Sequence, residues 1–144
     1  KWHITATDIS QEALSLAKKN ALNNHIQHIH FIQSDWFENI KYSQFDIIVS
    51  NPPYIADHDP HLNQPELGFE PRQALVSNNH GMNDLNHIIK HSKQKLATNG
   101  YLIVEHGYNQ GDIVNHAMQS SGFTNIQELN DLSGTWRATA GRKR

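Results

Sequence analysis

No cysteine occurs among the 144 residues, which excludes disulfides and thiolate zinc sites and fits a reducing cytoplasm. No stretch approaches the roughly 20 apolar residues that span a bilayer. No signal-peptide pattern opens the chain either, so no membrane partner is expected. Charge of neither sign prevails: 12 basic against 14 acidic residues leave a formal net charge of −2. That balance argues against a dedicated nucleic-acid surface, and no direct nucleic-acid partner is expected. Glycine and proline are modest at 8 and 5. With recurring apolar runs such as Phe45-Asp46-Ile47-Ile48-Val49, this excludes a collagen-like or strongly disordered chain. Methionine is missing from the first position, and Lys1 begins inside an apolar pattern. A fragment is therefore expected, its 144 residues forming part of one domain.

What is present alternates between two periodicities. Trp2, Ile4 and Ala6 alternate with polar neighbours and predict a strand ending at Asp8. Ser10 is an N-cap for a helix over residues 11–22, with Ala13, Leu14, Ala17 and Ala21 on one stripe. Glu12 in its first turn and Lys18 and Lys19 near its end suit the helix dipole. A short strand follows over 28–33, and the apolar run 44–50 reads as a strand buried on both faces. It stops at Asn51-Pro52-Pro53, and all five prolines (52, 53, 60, 65, 71) fall in a long aperiodic stretch reaching residue 81. Leu85, Ile88, Ile89 and Leu96 mark a helix over 83–98, closed near Asn99-Gly100. A buried-type strand over 101–105 comes next, then a helix marked by Ile113, Val114, Ala117 and Met118 and ended by Gly122. Strands over 123–129 and 135–141 close the chain as a hairpin across 130–134. Strands alternating with helices mean an α/β domain, mostly parallel with an antiparallel C-terminal hairpin.

In such sheets ligands sit outside the carboxyl ends of the strands, and three polar signals fall there. Asp8 suits a ribose diol, because one carboxylate accepts from both hydroxyls; the alternative is a capping Asp just before Ser10. Asp35 can accept from an adenine amino group with Trp36 as an apolar wall; the alternative is a turn Asp beside a core Trp. Asn51-Pro52-Pro53-Tyr54 is the most informative. Pro52 biases Asn51 to extended geometry, and two prolines fix φ while donating no N–H. The Asn51 side-chain oxygen and the Pro52 carbonyl then make two acceptors suited to a planar –NH2 group. Tyr54 adds an aromatic face for a flat substrate or a cationic methyl donor. The plainer alternative is a rigid turn that ends a buried strand.

This corner, with Ser34-Asp35-Trp36-Phe37, Val49 to Ile55, Asp59-Pro60-His61-Leu62, Phe69-Glu70-Pro71 and Ala74-Leu75, resembles the peptide chain release factor N5-glutamine methyltransferases (the HemK/PrmC type). Gly81-Met82, Ile88-Ile89, Glu105-His106-Gly107 and Gln110-Gly111 extend the resemblance across the chain. It implies a Rossmann-like S-adenosylmethionine-dependent methyltransferase sheet, truncated before its first strand. It further implies methyl transfer to the glutamine amide of the Gly-Gly-Gln loop in class I release factors, in the cytoplasm. By matching positions, Asp8 holds the cofactor ribose and Asp35 with Trp36 the adenine. Asn51 lies between cofactor methyl and substrate amide, Pro52 presents its carbonyl, and Pro53 and Tyr54 complete the substrate side. Phe69 and Glu70 help to shape the peptide pocket. An amide nitrogen is a poor nucleophile, and two acceptors on its N–H bonds push electron density onto it and orient it for attack. The same corner serves adenine N6 equally well, and a non-catalytic binding remnant is the other alternative.

The family's glycine-rich turn finds no match, because the first glycine is Gly68. In the family's sheet the missing strand lies between those ending at Asp8 and Asn51, and the N-terminal helical domain is also absent. The 144 residues alone are therefore expected to bind the cofactor weakly and to aggregate, with two sheet edges open. Eleven histidines raise a metal reading. His87 and His91, at i and i+4, project opposite the apolar stripe of their helix and read as solvated, so no metal is expected. His25, His28 and His30 read the same way, while His58 and His61 sit in the candidate substrate loop. Glu105-His106 either lines the site or caps nearby backbone. Arg142-Lys143-Arg144 reads as a solvated basic end.

Overall fold

Each element forms where the local sequence satisfies its own backbone. The computed structural model describes residues 2–144, the side chains of His61, Asn63 and Glu66 excepted. Lys1 and the His61 side chain thus lie outside the described residues. Two units divide the chain after Tyr42.

The first unit is a βαβ crossover. Strand β1 (Ile4–Asp8) and strand β2 (Ile29–Gln33) pair in parallel, and helix α1 (Gln11–Asn23) joins them. Parallel neighbours need such a crossover, since a tight turn reverses direction. Ser10 caps α1 as its sequence position implies, its Oγ accepting from the Ala13 N–H at 3.1 Å. The helix runs on to Asn23, so Lys18 and Lys19 fall short of its last turn, which holds no basic residue. Leu14 and Ala21 are buried on the expected stripe, with Ile40 beyond it.

The second unit carries a four-stranded sheet in the order β3-β4-β6-β5. Strand β3 (Phe45–Ser50) pairs in parallel with β4 (Leu96–Glu105), and β4 pairs antiparallel with β6 (Trp136–Lys143). Strand β5 (Phe123–Asn130) forms the expected hairpin with β6. Asp131 Oδ1 closes its loop by accepting from Ser133 N–H at 2.9 Å and Thr135 N–H at 3.0 Å. Between β3 and β4 lie two 3-10 turns (Pro60–Asn63, Pro65–Phe69) and the short helical segments α2 (Arg72–Leu75) and α3 (Asn78–Gly81). Helix α4 (Asn83–Lys95) then leads into β4, and helix α5 (Gly111–Ser120) separates β4 from β5. Leu85, Ile88 and Ile89 of α4 are buried with Leu102, Val104, Val114, Met118 and Phe123. Each large aliphatic side chain buried in this cluster contributes about 2 kcal/mol.

Four expectations need correction. Strand β3 is not buried on both faces: Ile47 is 44% and Val49 70% exposed. Its only sheet neighbour among the described residues is β4, and alternate side chains lack a covering element. The proline-rich stretch is not featureless, because its prolines start turns of 3-10 helix and a parallel bridge joins Ile55 to Val76. Helix α4 ends at Lys95, three residues before the expected close. Carbonyls at its end find a donor from the adjoining end of β6: Lys143 Nζ donates to Lys93 O and to O of the capping Leu96, each at 2.6 Å. Lys143 and Arg142 are accordingly half-buried strand residues of β6, not a solvated tail.

Candidate active site

In the first unit the parallel register Asp8↔Gln33 brings the carboxyl ends of β1 and β2 side by side. Asp8 is exposed there. Its Oδ1 accepts the Ser10 N–H at 2.7 Å, while its Oδ2 has no hydrogen bond among the described residues. One oxygen of Asp8 thus orders the turn before α1, as its turn alternative held, and the residue remains exposed. Ser34 builds the adjacent turn: it is buried, and its Oγ donates to Trp36 O at 3.0 Å and accepts from Asn39 N–H at 3.0 Å. These bonds hold Trp36 at φ 43, a left-handed conformation an aromatic residue rarely adopts. Asp35 is exposed and Trp36 half-buried. Asp8 and Asp35 are thus exposed carboxylates at the carboxyl ends of two parallel strands, groups able to accept from hydroxyls and amines.

In the second unit, β3 delivers Asn51 directly after Ser50, whose ladder partner is Val104. Asn51 is exposed, Pro52 fully buried, and Pro53 and Tyr54 half-buried. The buried proline anchors the corner while the asparagine carboxamide stays accessible. Tyr54 is held at both ends. Its hydroxyl donates to Glu105 Oε1 at 3.1 Å and accepts from Arg137 Nη2 at 2.9 Å. The Arg137 guanidinium carbon lies 5.6 Å from the ring centroid. The Tyr54 carbonyl accepts from Gln110 Nε2 at 2.9 Å, and Gln110 Oε1 accepts the Gly107 N–H at 2.8 Å. Burial pushes the Tyr54 phenol above its ordinary range, Arg137 opposing and Glu105 adding to the rise, so it stays protonated and can donate.

Two further features shape this corner. Asn79 and His80 take φ 53 and 54, and Gly81 continues at φ 81, a left-handed run against the Tyr54 carbonyl. A Cβ at Gly81 would overlap Tyr54 O, so both the backbone sign and the close approach require glycine. Beside Glu105, His106 is fully buried, with Nε2 2.9 Å from Thr139 Oγ1 and Nδ1 2.9 Å from Gly107 O. Burial pushes its pKa below the ordinary histidine value, and the nearby Arg137 charge acts in the same direction.

Of the residues expected from sequence, Asp8, Asp35 and Trp36 fall in the first unit and Asn51, Pro52, Pro53 and Tyr54 in the second. Phe69, 91% exposed, and Glu70, also exposed, close the second 3-10 turn. Glu105 bonds to a side chain, not to backbone as its capping alternative held. His87 is exposed and His91 half-buried, their rings stacked at 4.4 Å. Sequence reasoning missed Arg137 altogether and gave Gln110 no role. The available signal for Arg137 was a charge set between Trp136 and Ala138, away from the basic pair Arg142 and Lys143 at the far end of the same strand.

Comparison with known proteins gives a consistent picture. The methyltransferase small domain family matches residues 1–67. Release factor glutamine methyltransferase of Salmonella typhimurium is 43% identical over 96% of this chain and 50% of its own length. That of Escherichia coli K12 is 44% identical with the same coverage. The chain therefore spans about half the length of the curated relatives it matches. Among solved structures, a methyltransferase from Pyrococcus furiosus superposes with TM-score 0.70 at 17% identity, over 96% of this chain and 61% of that one. At that identity the likeness shows the fold.

Proposed function

We propose, from 43–44% identity to release factor glutamine methyltransferases across nearly its whole length, that the chain belongs with them and forms part of a catalytic domain that methylates a protein glutamine. The methyl donor in this reading is S-adenosylmethionine. The acceptor is the side-chain amide nitrogen of the glutamine in the Gly-Gly-Gln motif of class I peptide chain release factors, in the cytoplasm. One observation carries it: an exposed Asn51 on a corner whose Pro52 is buried and whose Tyr54 is bonded at both ends.

When bound, the donor supplies a sulfonium methyl already activated toward nucleophiles. Asp8 offers its Oδ2 to the ribose diol, and Asp35 and Trp36 bind the adenine. Asn51 Oδ1 and the Pro52 carbonyl accept the two N–H bonds of the glutamine carboxamide. That pair raises electron density on nitrogen and fixes its lone pair in one direction, which is positioning and electrostatics together. Pro53 keeps the corner rigid, and the Tyr54 ring offers a flat face to the carboxamide. Phe69 and Glu70 border the peptide. No general base is assigned, because the amide nitrogen becomes strongly acidic as it is methylated and sheds its proton to water.

The test uses the full-length gene product that carries this sequence, with methyl-labelled S-adenosylmethionine. It is offered a class I release factor, the same factor with its Gly-Gly-Gln glutamine changed to alanine, and unmethylated duplex DNA. Label is expected in the first alone, and Asn51→Ala is expected to lower turnover at least about 100-fold. Label entering the duplex, or an Asn51→Ala enzyme of unchanged turnover, overturns the reading.

A further inference from the structure

Tyr54 follows two prolines whose φ is fixed, so whatever pins Tyr54 also pins the corner from its C-terminal side. The ladder pairing Ser50↔Val104 pins it from the other. The tyrosine hydroxyl has one proton and spends it on Glu105, and it accepts from Arg137. Arg137 is the informative partner. Its guanidinium stands 3.9 Å from Glu105 Oε1, too long for the bidentate contact that makes an arginine–carboxylate pair strong. The shorter approach, 2.9 Å, is to the tyrosine oxygen. The guanidinium is aimed at Tyr54 and not at the carboxylate. Its β6 backbone is meanwhile occupied elsewhere, Arg137 O accepting the His106 N–H at 3.0 Å. Immobilising an arginine side chain costs roughly 2 kcal/mol of rotamer entropy, and the pairing of β6 with β4 and β5 does not require that side chain.

We propose that Arg137 is a positioning residue for amide methylation, which fixes the Asn51-Pro52-Pro53-Tyr54 corner through the Tyr54 hydroxyl, with Glu105 as the second anchor. This rests on the function proposed above. Gln110 holds the Tyr54 carbonyl and Arg137 its hydroxyl, so the ring can neither swing nor slide along the corner. Loss of either anchor lets the paired acceptors drift from the carboxamide. A displacement of about 1 Å in such a site costs up to about 100-fold in rate.

The experiment measures kcat and KM in the full-length gene product for Arg137→Met, Arg137→Lys, Tyr54→Phe and the double variant Arg137→Met/Tyr54→Phe. Arg137→Met is expected to lower kcat about 10- to 100-fold with KM for S-adenosylmethionine within about twofold. Arg137→Lys should recover part of the loss. In the Tyr54→Phe background, Arg137→Met should cost no more than about twofold further, since the hydroxyl it acts through is gone. A parallel measurement needs no turnover: Cζ-labelled tyrosine is followed by NMR, the Tyr54 signal being assigned by its loss in Tyr54→Phe. Removing Arg137 should move that signal and raise the pH at which it titrates. Additive rate losses, or a Tyr54 signal indifferent to Arg137, overturn the inference. No transfer by the unsubstituted protein overturns the functional reading instead, and the tyrosine signal still decides whether Arg137 holds Tyr54.

Discussion

His106 shows how a single buried side chain ties the candidate site to pH. It bridges Thr139 Oγ1 and Gly107 O within the carboxyl end of the sheet, one residue after Glu105. Burial holds its folded pKa below the ordinary histidine value, so the folded protein keeps it neutral where the unfolded chain takes up a proton. The unfolded state therefore binds more protons in that interval, and stability rises with pH across it. The contribution is complete above about 6.5 and is lost as pH falls through the folded value. Urea unfolding followed from mildly acidic to neutral pH should show this limb, and His106→Asn should flatten it. The Tyr54 phenol works in the opposite direction: its raised pKa keeps the donor to Glu105 intact throughout that range. Asn51, Pro52 and Tyr54 were legible as a group because prolines restrict their neighbours by covalent geometry alone. Arg137 was not, because its partner lies 83 residues away in the chain.

At the scale of elements, local rules placed most boundaries. Ser10 capped α1, Gly122 at φ 79 ended the helix before β5, and Asp131 with Gly134 turned the hairpin. The exception is the junction of α4 and β4, where Asn99-Gly100 looked like the helix end. Asn99 does adopt φ 67, but within a break in the β3–β4 register, the regular ladder beginning at Ile47↔Tyr101. The helix stops earlier because Lys143 reaches its last carbonyls from β6. Lys143→Met retains the apolar stem but removes both charge-assisted bonds. It should destabilise the protein by about 2 kcal/mol in denaturant titration, while the Tyr54 NMR signal stays in place. A loss below a few tenths of a kcal/mol would show that water replaces the ammonium at no cost.

For the whole molecule, the two sheets are the governing fact. Strand β1 pairs only with β2, and β3 only with β4, among the described residues. Ile4, Ile47 and Val49 on these strands are exposed, as is Trp2 just before β1. Open edges with apolar side chains invite pairing with other chains. The 144 residues in isolation are therefore expected to aggregate and to give little or no heat with S-adenosylmethionine in titration calorimetry. Tight binding by this segment alone would refute that. The alternation of strand and helix, the capped termini and the diproline corner were determined by the sequence itself, since each rests on dihedral restriction or on contacts within a few residues. Only the tertiary structure decided that β3 is half-exposed, that Lys143 ends a helix about 50 residues earlier, and that Arg137 and Gln110 grip Tyr54. Those outcomes depend on which strand lies beside which, and hydrogen bonds between residues far apart in the chain leave no periodic trace along it.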